Sequence, residues 1–278
     1  MLRRVKKYIQ DNGMLREGDK VLVCVSGGAD SIALLDVLLR GGYECVVAHC
    51  NFHLRGEESD RDEAFVRRIV PEIAAKRPYN VRETPVYVKD FHTREYAERE
   101  HKSIELAARE LRYQWFDELA RETGCAAIAV AHHQNDQAET VIMNLRRGAG
   151  LRGLCGMWPV ASVPKALGEA HKALDVAQRA LDVAAEPLDG RGIKLIRPLL
   201  CTTHDYICHY LRDVRKIEWV EDSTNTDTHY TRNKVRAELS SWSKAEIEHV
   251  AKTAEIVRAE VRLKMENGKW NAQRAIEK

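Results

Sequence analysis

The chain has 278 residues, 44 Lys plus Arg against 42 Asp plus Glu, and a formal net charge of +2 at pH 7. With 44% hydrophobic and 31% charged residues, it can bury a core and remain in solution, which excludes a disordered or fibrous chain. The sequence contains no run of about 18 apolar residues, and residues 1–10 lack the apolar core of a signal peptide. We therefore expect a cytoplasmic protein that does not span a membrane.

Charge is unevenly distributed along the chain. Residues 231–278 carry 11 basic and 7 acidic side chains, whereas the rest of the chain is slightly acidic. This basic tail indicates either a polyanionic partner or an ordinary solvated helix surface. The seven cysteines form no C-x-x-C pair, so the sequence predicts neither a zinc ribbon nor a thioredoxin-like motif, and it fits a reducing compartment.

Short apolar runs alternate with longer segments of helical periodicity over the first two hundred residues. The runs predict buried parallel strands at Val21–Val25, Cys45–His49, Pro85–Val88 and Ala126–Ala131. The longer segments predict helices at Ser31–Arg40, Asp60–Ala75, Ile104–Glu122 and Gln134–Arg146. This alternation is typical of an α/β fold with a doubly wound, Rossmann-like parallel sheet.

The pattern changes at Pro159. We expect a helical insertion at about 159–190, another strand at 193–196, and a long amphipathic helix from Ser243 onward. The insertion has one leucine in every seven residues, at Leu167, Leu174, Leu181 and Leu188. We expect these leucines to pack against the rest of the chain; the alternative is that they form the interface of a homodimer. The domain prediction is a catalytic domain at 1–222, then a linker and a small helical unit at 223–278.

The segment Ser26-Gly27-Gly28-Ala29-Asp30-Ser31 lies between the first predicted strand and a helix. Two glycines let the backbone approach a ligand closely, and the amides at the start of the helix favour an anion. This pattern predicts a phosphate site. A carboxylate at Asp30 would repel phosphate unless a cation such as Mg²⁺ lies between them; the alternative is that Asp30 and Ser31 only cap the helix.

This loop resembles the S-G-G-x-D-S loop of the PP-loop ATP pyrophosphatases, which cleave ATP between its α and β phosphates. The resemblance implies that Ser26, Gly27, Gly28, Ala29, Asp30 and Ser31 bind ATP, with Mg²⁺ at Asp30. The loop alone does not distinguish among the synthetases and tRNA-modifying enzymes of that superfamily.

Further segments are similar to those of the tRNA(Ile)-lysidine synthase family. The similarity runs in order from Val21 to Arg236, through Ala107–Tyr113, Ala131–Thr140, Asn144–Leu154, Ile196–Leu200, Glu221–Asn225 and Tyr230–Arg236. One departure is Asn135, which stands where the family often has Asp. The resemblance implies ATP-dependent ligation of L-lysine to the wobble cytidine of isoleucine tRNA with a CAU anticodon.

Candidate site residues follow from that resemblance together with their spacing. Asp136 and Glu139 lie three residues apart on one helix face, so both carboxylates can enter one pocket and bind the lysine ammonium or Mg²⁺. Arg109 joins them as a lysine-binding residue, since guanidinium binds carboxylate and phosphate. The implied catalytic residues are Asp30, Arg109, Asp136 and Glu139. His132 and His133 either orient ligands or only pack.

Basic residues supply the implied tRNA contacts. They are Arg112, Arg232, Asn233, Lys234 and Arg236; for the last four, a solvated charged turn is the alternative to phosphate contact.

The resemblance implies two steps without a covalent enzyme intermediate. The O2 atom of cytidine attacks the α-phosphate of ATP and releases pyrophosphate, and the ε-amine of lysine then displaces AMP from C2. Two alternatives stay open: a PP-loop tRNA thiolase, and a tRNA-binding relative without catalytic activity.

Overall fold

A computed structural model describes residues 1–76, 83–163, 192–221 and 231–266. Its centre is a six-stranded sheet in the order β3-β2-β1-β4-β6-β5. The strands are β1 Lys20–Cys24, β2 Glu44–Asn51, β3 Val86–Asp90, β4 Ala127–Ala129, β5 Val160–Ser162 and β6 Lys194–Ile196. All neighbours are parallel except β5, which pairs antiparallel with β6 at the edge. The predicted α/β fold with a parallel sheet is confirmed.

Helices connect and cover these strands. They are α1 Leu2–Asp11, α2 Ala29–Gly41, α3 Glu57–Ala75, α4 Thr93–Arg99, α5 Ile104–Glu122, α6 Gln134–Arg146, α7 Leu151–Leu154, α8 His204–His209, α9 Thr231–Leu239 and α10 Lys244–Glu266. A 3₁₀ turn at Pro198–Cys201 precedes α8, and a π-helical segment, Tyr210–Arg215, continues it. Within the described ranges, no helix is long and apolar enough to cross a lipid bilayer.

Two apolar clusters lie on opposite faces of the sheet, as expected for strands that are covered on both sides. Val21 and Val23 of β1 pack into the cluster that contains α1, α2 and α3, whereas Leu22 packs into the cluster under α5. The alternation has a period of two because successive side chains of a strand point to opposite faces. This double burial explains why β1 is a continuous apolar run.

The predicted helical insertion is wrong at its first residues. Val160–Ser162 form β5, an antiparallel edge strand that pairs with β6; this pairing joins distant segments of the chain, so the local pattern of residues does not show it. The four leucines of the insertion, at 167, 174, 181 and 188, lie outside the described residues. The predicted boundary between 222 and 223 also lies outside them, so the two-domain division stays a prediction.

The C-terminal helices α9 and α10 pack on α6. Val235 and Leu239 of α9 and Ile247 of α10 share a buried cluster with Ala138 of α6. The buried guanidinium of Arg258 donates to two backbone carbonyl oxygens in the segment after α7, at 2.7 and 3.0 Å. These contacts place α9 beside the first turns of α6.

The order in which strands are added to the sheet changes direction at β1. The connections from β1 to β2 and β3 run to one side of it, whereas β4 and β6 lie on the other side. In open parallel sheets, ligands bind where two such halves diverge, outside the carboxyl ends of the strands. The two loops at that point are 25–28, after β1, and 130–133, after β4.

A buried ion pair holds the C-terminal side of α8 against α2. The Asp36 carboxylate accepts a hydrogen bond of 2.5 Å from the Tyr210 hydroxyl and two-pronged contacts from the Arg215 guanidinium, the shortest of 2.9 Å. Only 1% of the Asp36 side chain is exposed. Because removing one member leaves its partners without a counter-charge, such a pair is costly to break.

We expect Asp36→Ala to lower the free energy of unfolding by about 3 kcal/mol, since Arg215 and Tyr210 lose their shared partner. Urea denaturation followed by circular dichroism measures this difference. The matched control is Asp11→Ala, because Asp11 forms an exposed pair with Lys7 and such pairs contribute less than about 1 kcal/mol. Equal midpoints and slopes for the two variants would contradict the structural role of Asp36.

Candidate functional site

The loop of residues 26–31 turns sharply between β1 and α2. Gly27 has φ +98°, in the left-handed region that favours glycine, and its carbonyl oxygen accepts a 2.9 Å hydrogen bond from the Val220 amide. The Ser31 hydroxyl donates to the Gly28 carbonyl oxygen at 2.9 Å, and the Ser26 amide donates to the Ser31 hydroxyl at 3.2 Å. Ser31 therefore shapes the loop from within, at the start of α2, whose N-terminus favours anions.

The loop forms one wall of a cleft of about 320 Å³. The opposite wall comes from α5 and from the ends of β2 and β4. Residues that line the cleft are Cys24, Val25, Ser26, Gly28, Asp30, Ser31, Ala48, Cys50, Phe52, Arg112, Tyr113, Phe116, Val130, Ala131 and His132. The Arg112 guanidinium lies over the Phe52 ring, 5.1 Å from its centroid. Apolar and aromatic walls with a few polar groups are typical of small-molecule sites.

Asp30 contacts imidazoles from two other elements. Its Oδ1 lies 2.9 Å from His204 Nδ1, at the start of α8, and its Oδ2 lies 3.5 Å from His133 Nε2, just before α6. Burial alone would raise the pKa of Asp30, but hydrogen bonds from the two histidines outweigh burial and hold that pKa well below its usual range. The Asp30 carboxylate is therefore ionised at neutral pH.

The pKa values of the two imidazoles are shifted in the opposite direction, upward. The hydrogen bond with Asp30, assisted by a contact with Cys208, raises the pKa of His204 to about 10. Burial opposes protonation of His133, yet the carboxylates of Asp136 and Asp30 together raise its pKa. The carboxylate of Asp30 thus favours the protonated forms of both imidazoles, and their protonation offsets its negative charge, so a carboxylate is compatible with the predicted phosphate site.

Asp136 and Glu139 lie on one face of α6, as the spacing predicts. The exposed fractions of their side chains are 11% and 4%. Asp136 Oδ2 accepts a 3.0 Å hydrogen bond from the His133 amide, so it caps α6. Glu139 accepts a 2.8 Å hydrogen bond from Nε of Arg236, on α9, and the same guanidinium lies 3.7 Å from Asp136. These acids therefore already surround one cation.

The predicted basic residues differ in whether they line the cleft. Arg109 is exposed and lies over the Tyr113 ring, 5.1 Å from its centroid, so it reaches the rim of the cleft rather than its lining. Arg112, predicted as a tRNA contact, lines the cleft itself. The side chains of Arg232, Asn233 and Lys234 lie outside the described residues. The roles assigned to these residues stay predictions.

His204 is the site residue that the sequence analysis missed. Its backbone amide donates to Asn135 Oδ1 at 3.0 Å, and the Gln134 amide donates to the Thr202 carbonyl oxygen at 2.9 Å. These two bonds join the start of α8 to the start of α6. The only signal in the sequence was a histidine at the start of a helix after a buried strand, which is too common a feature to identify a site.

Comparisons with known proteins agree with this geometry. A family model described as the PP-loop domain matches residues 1–243. The tRNA(Ile)-lysidine synthase of Bacteroides thetaiotaomicron is 43% identical over 237 residues, which cover 85% of this chain and 46% of that protein. The tRNA(Ile)-lysidine synthase of Porphyromonas gingivalis strain W83 is 44% identical over 237 residues, covering 85% of this chain and 43% of that protein.

A solved structure shares the fold. The U34-tRNA thiolase NcsA from Methanococcus maripaludis matches with a TM-score of 0.62 at 16% identity, over 92% of this chain and 80% of that one. The chain spans less than half the length of the two lysidine synthases, at 46% and 43%. The family model nevertheless covers most of the chain, including the loop, the cleft and the acids of α6. This chain belongs to the PP-loop domain family.

Proposed function

We propose that the chain is the catalytic part of a tRNA(Ile)-lysidine synthase, a ligase that uses ATP to join L-lysine to the wobble cytidine of isoleucine tRNA with a CAU anticodon. One observation carries the proposal. The His133 Nε2 atom lies 3.5 Å from the carboxylates of both Asp30, in the phosphate loop, and Asp136, on α6. The proposed nucleotide site at Asp30 and the proposed cation site at Asp136 are therefore adjacent. A reaction between an adenylate and an amine requires the two reactants to be held side by side.

ATP use follows from membership of the PP-loop domain family. In the proposed complex, the amides at the start of α2 bind phosphate. Arg112 supports this placement, because its guanidinium lines the same cleft as Ser26 and Gly28. We propose that it binds a phosphate or base within the cleft, stacked as it is on Phe52.

The residues of the loop fit magnesium. Mg²⁺ is usually held by one or two carboxylates together with substrate phosphates and water, and Asp30 supplies one ionised carboxylate beside the phosphate loop. When bound with ATP, Mg²⁺ would neutralise charge on the departing pyrophosphate. Asp30 would hold the ion, and Ser26 lines the same cleft.

Asp136 and Glu139 support the assignment of lysine. Both carboxylates are nearly buried and already contact the Arg236 guanidinium, so their surroundings stabilise a cationic side chain. We propose that the lysine substrate binds between these acids and the loop, beside or in place of Arg236. Arg109, at the rim of the cleft, would then contact the α-carboxylate of lysine.

The chain's own groups account for positioning and electrostatics in the two steps. In the first step, cytidine O2 forms a bond to the α-phosphorus of ATP while the bond to pyrophosphate breaks, and cations around the loop offset the leaving charge. In the second step, the bound ε-ammonium first loses a proton, the neutral amine then forms a bond to C2, AMP leaves with the bonding electrons, and the attached nitrogen loses a second proton. Asp136 and Glu139 orient the ammonium, an acceptor within this acidic cluster takes the first proton, and water takes the second.

Contact with tRNA is proposed for α9. Arg236 pairs with Glu139 and its side chain is 40% exposed, so α9 presents a basic side chain at the protein surface, where a phosphate of tRNA can approach. Arg232, Asn233 and Lys234 belong to the same helix. A basic helix end beside the acids of α6 would fix the register of tRNA without reading its bases.

A thiolase on this scaffold is less well supported. Cys24 and Cys50 line the cleft, but burial raises the pKa of the Cys50 thiol to about 12 and that of Cys24 well above its usual value. Because the thiolate is the nucleophile in sulfur transfer, neither cysteine is suited to that role at neutral pH.

We expect Asp30→Ala to lower tRNA-dependent release of pyrophosphate from ATP by about 100-fold or more, since the carboxylate that holds Mg²⁺ is lost. A coupled pyrophosphate assay with Mg²⁺ and isoleucine tRNA measures this rate. Asp11→Ala, which removes an exposed carboxylate at the end of α1, is the matched control and should keep the wild-type rate. Undiminished release by Asp30→Ala would refute the phosphate-site assignment.

We expect Asp136→Asn to raise KM for lysine by about 10- to 100-fold, because a neutral amide replaces one charge-assisted contact with the ammonium. Asparagine can still cap α6, so the helix start should persist. Transfer of radiolabelled lysine to tRNA gives KM, and equilibrium binding gives the Kd for ATP, which should not change.

The matched control for this experiment is Glu72→Gln, on the exposed face of α3, which should leave KM for lysine unchanged. An unchanged KM in Asp136→Asn would remove Asp136 from the lysine site.

A further inference from the structure

We propose that Asp30, His133 and His204 form a binding site for a transition-metal ion of the zinc class when no nucleotide is bound. The ligand atoms of these three residues all lie within 4.8 Å of one another. They form the one such group of histidine, cysteine, aspartate and glutamate side chains found in the described ranges. This inference is separate from the magnesium that would accompany ATP, and it does not depend on the proposed ligase activity.

The spacing of the ligand atoms fits a tetrahedral ion. Ligands held at 2.0–2.1 Å around tetrahedral Zn²⁺ lie about 3.3 Å from one another. The Asp30 carboxylate oxygens lie 2.9 Å from His204 Nδ1 and 3.5 Å from His133 Nε2. Two of the three separations are therefore close to the tetrahedral value and the third is within 4.8 Å, so rotations of the side chains could bring all three groups onto one ion, with a fourth position left for water.

The chemistry of the donors selects among metals. Two imidazole nitrogens and one carboxylate oxygen suit Zn²⁺ and its first-row neighbours, whereas Mg²⁺ prefers oxygen ligands only. The imidazoles now contact the carboxylate through N–H groups. A bound ion would displace those protons and bind the ring nitrogens and the carboxylate oxygen directly. The same three side chains thus discriminate between the two kinds of cation.

Neighbouring groups already hold His204 in place. The starts of α6 and α8 are joined by the two hydrogen bonds from Gln134 to Thr202 and from His204 to Asn135. The second ring nitrogen of His204 lies 3.4 Å from the Cys208 sulfur. Metal-binding histidines usually have such a partner for the nitrogen that does not bind the ion, and it fixes the ring.

The site is accessible from one side and buried on the other. His133 is 9% exposed, Asp30 is 30% exposed and His204 is 45% exposed. A small ion can therefore enter past His204, whereas His133 and the chain behind it exclude bulk water from the far side.

The test uses the whole chain, reduced and free of nucleotide and Mg²⁺, titrated with Zn²⁺ in competition with a chromophoric chelator. We expect one Zn²⁺ per chain, and at least about 10-fold weaker binding by His204→Ala. The matched control is His209→Ala, because His209 lies in the same helix but pairs with Asp213; its affinity should equal the wild type. Equal affinities for His204→Ala and wild type, or binding of fewer than one ion, would overturn the site.

Cobalt distinguishes this site from binding by cysteines. Co²⁺ bound to wild-type protein should give the visible d–d bands of a tetrahedral ion without a thiolate-to-cobalt charge-transfer band, because the ligands are nitrogen and oxygen. Cys208→Ser should leave that spectrum in place. A thiolate band, or loss of the spectrum in Cys208→Ser, would assign the metal to cysteine and refute the proposal. Excess Mg²⁺ should not displace the cobalt.

Discussion

The carboxylate of Asp30 is the contact on which the arrangement of the site depends. It lies one residue inside the N-terminus of α2, and its two oxygens face imidazoles that come from the starts of α6 and α8. Helices that follow three different strands, β1, β4 and β6, therefore meet at one charged group. Since the pKa values of both histidines are raised there, their protonation offsets the charge of Asp30 at the predicted phosphate site.

A second ionic contact links the C-terminal helices to this centre. Arg236 reaches from α9 to Glu139 and lies near Asp136, so the cation among the acids of α6 is supplied by a segment that follows the sheet domain in the chain. The apolar contacts of Val235 and Leu239 with α6 hold that helix in position. In the proposed ligase, this places a residue expected to contact tRNA directly beside the residues expected to bind lysine.

Much of the fold could be predicted from the sequence, because buried parallel strands and amphipathic helices have different periods. The bounds of α5 and α6 agree with their predicted ranges, and residues 26–31 lie between a strand and a helix as predicted; phosphate binding there stays a prediction. β5 was missed because it forms through antiparallel pairing with the distant β6 at the sheet edge. His204 was missed because its role requires β6 to lie beside β4, which local patterns do not encode. The pairing of Arg236 with Glu139 is likewise a tertiary contact across 97 residues.

The net charge of +2 is thus a poor guide to the binding partners of the protein, since acidic and basic side chains lie together in one site.

The central claim is tested most directly by mass spectrometry of the wobble nucleoside after incubation of isoleucine tRNA with the protein, ATP, Mg²⁺ and lysine. We predict conversion of cytidine to lysidine, dependent on every component. Unmodified cytidine in the complete reaction, or a product that contains sulfur in place of lysine, would contradict the proposed ligase.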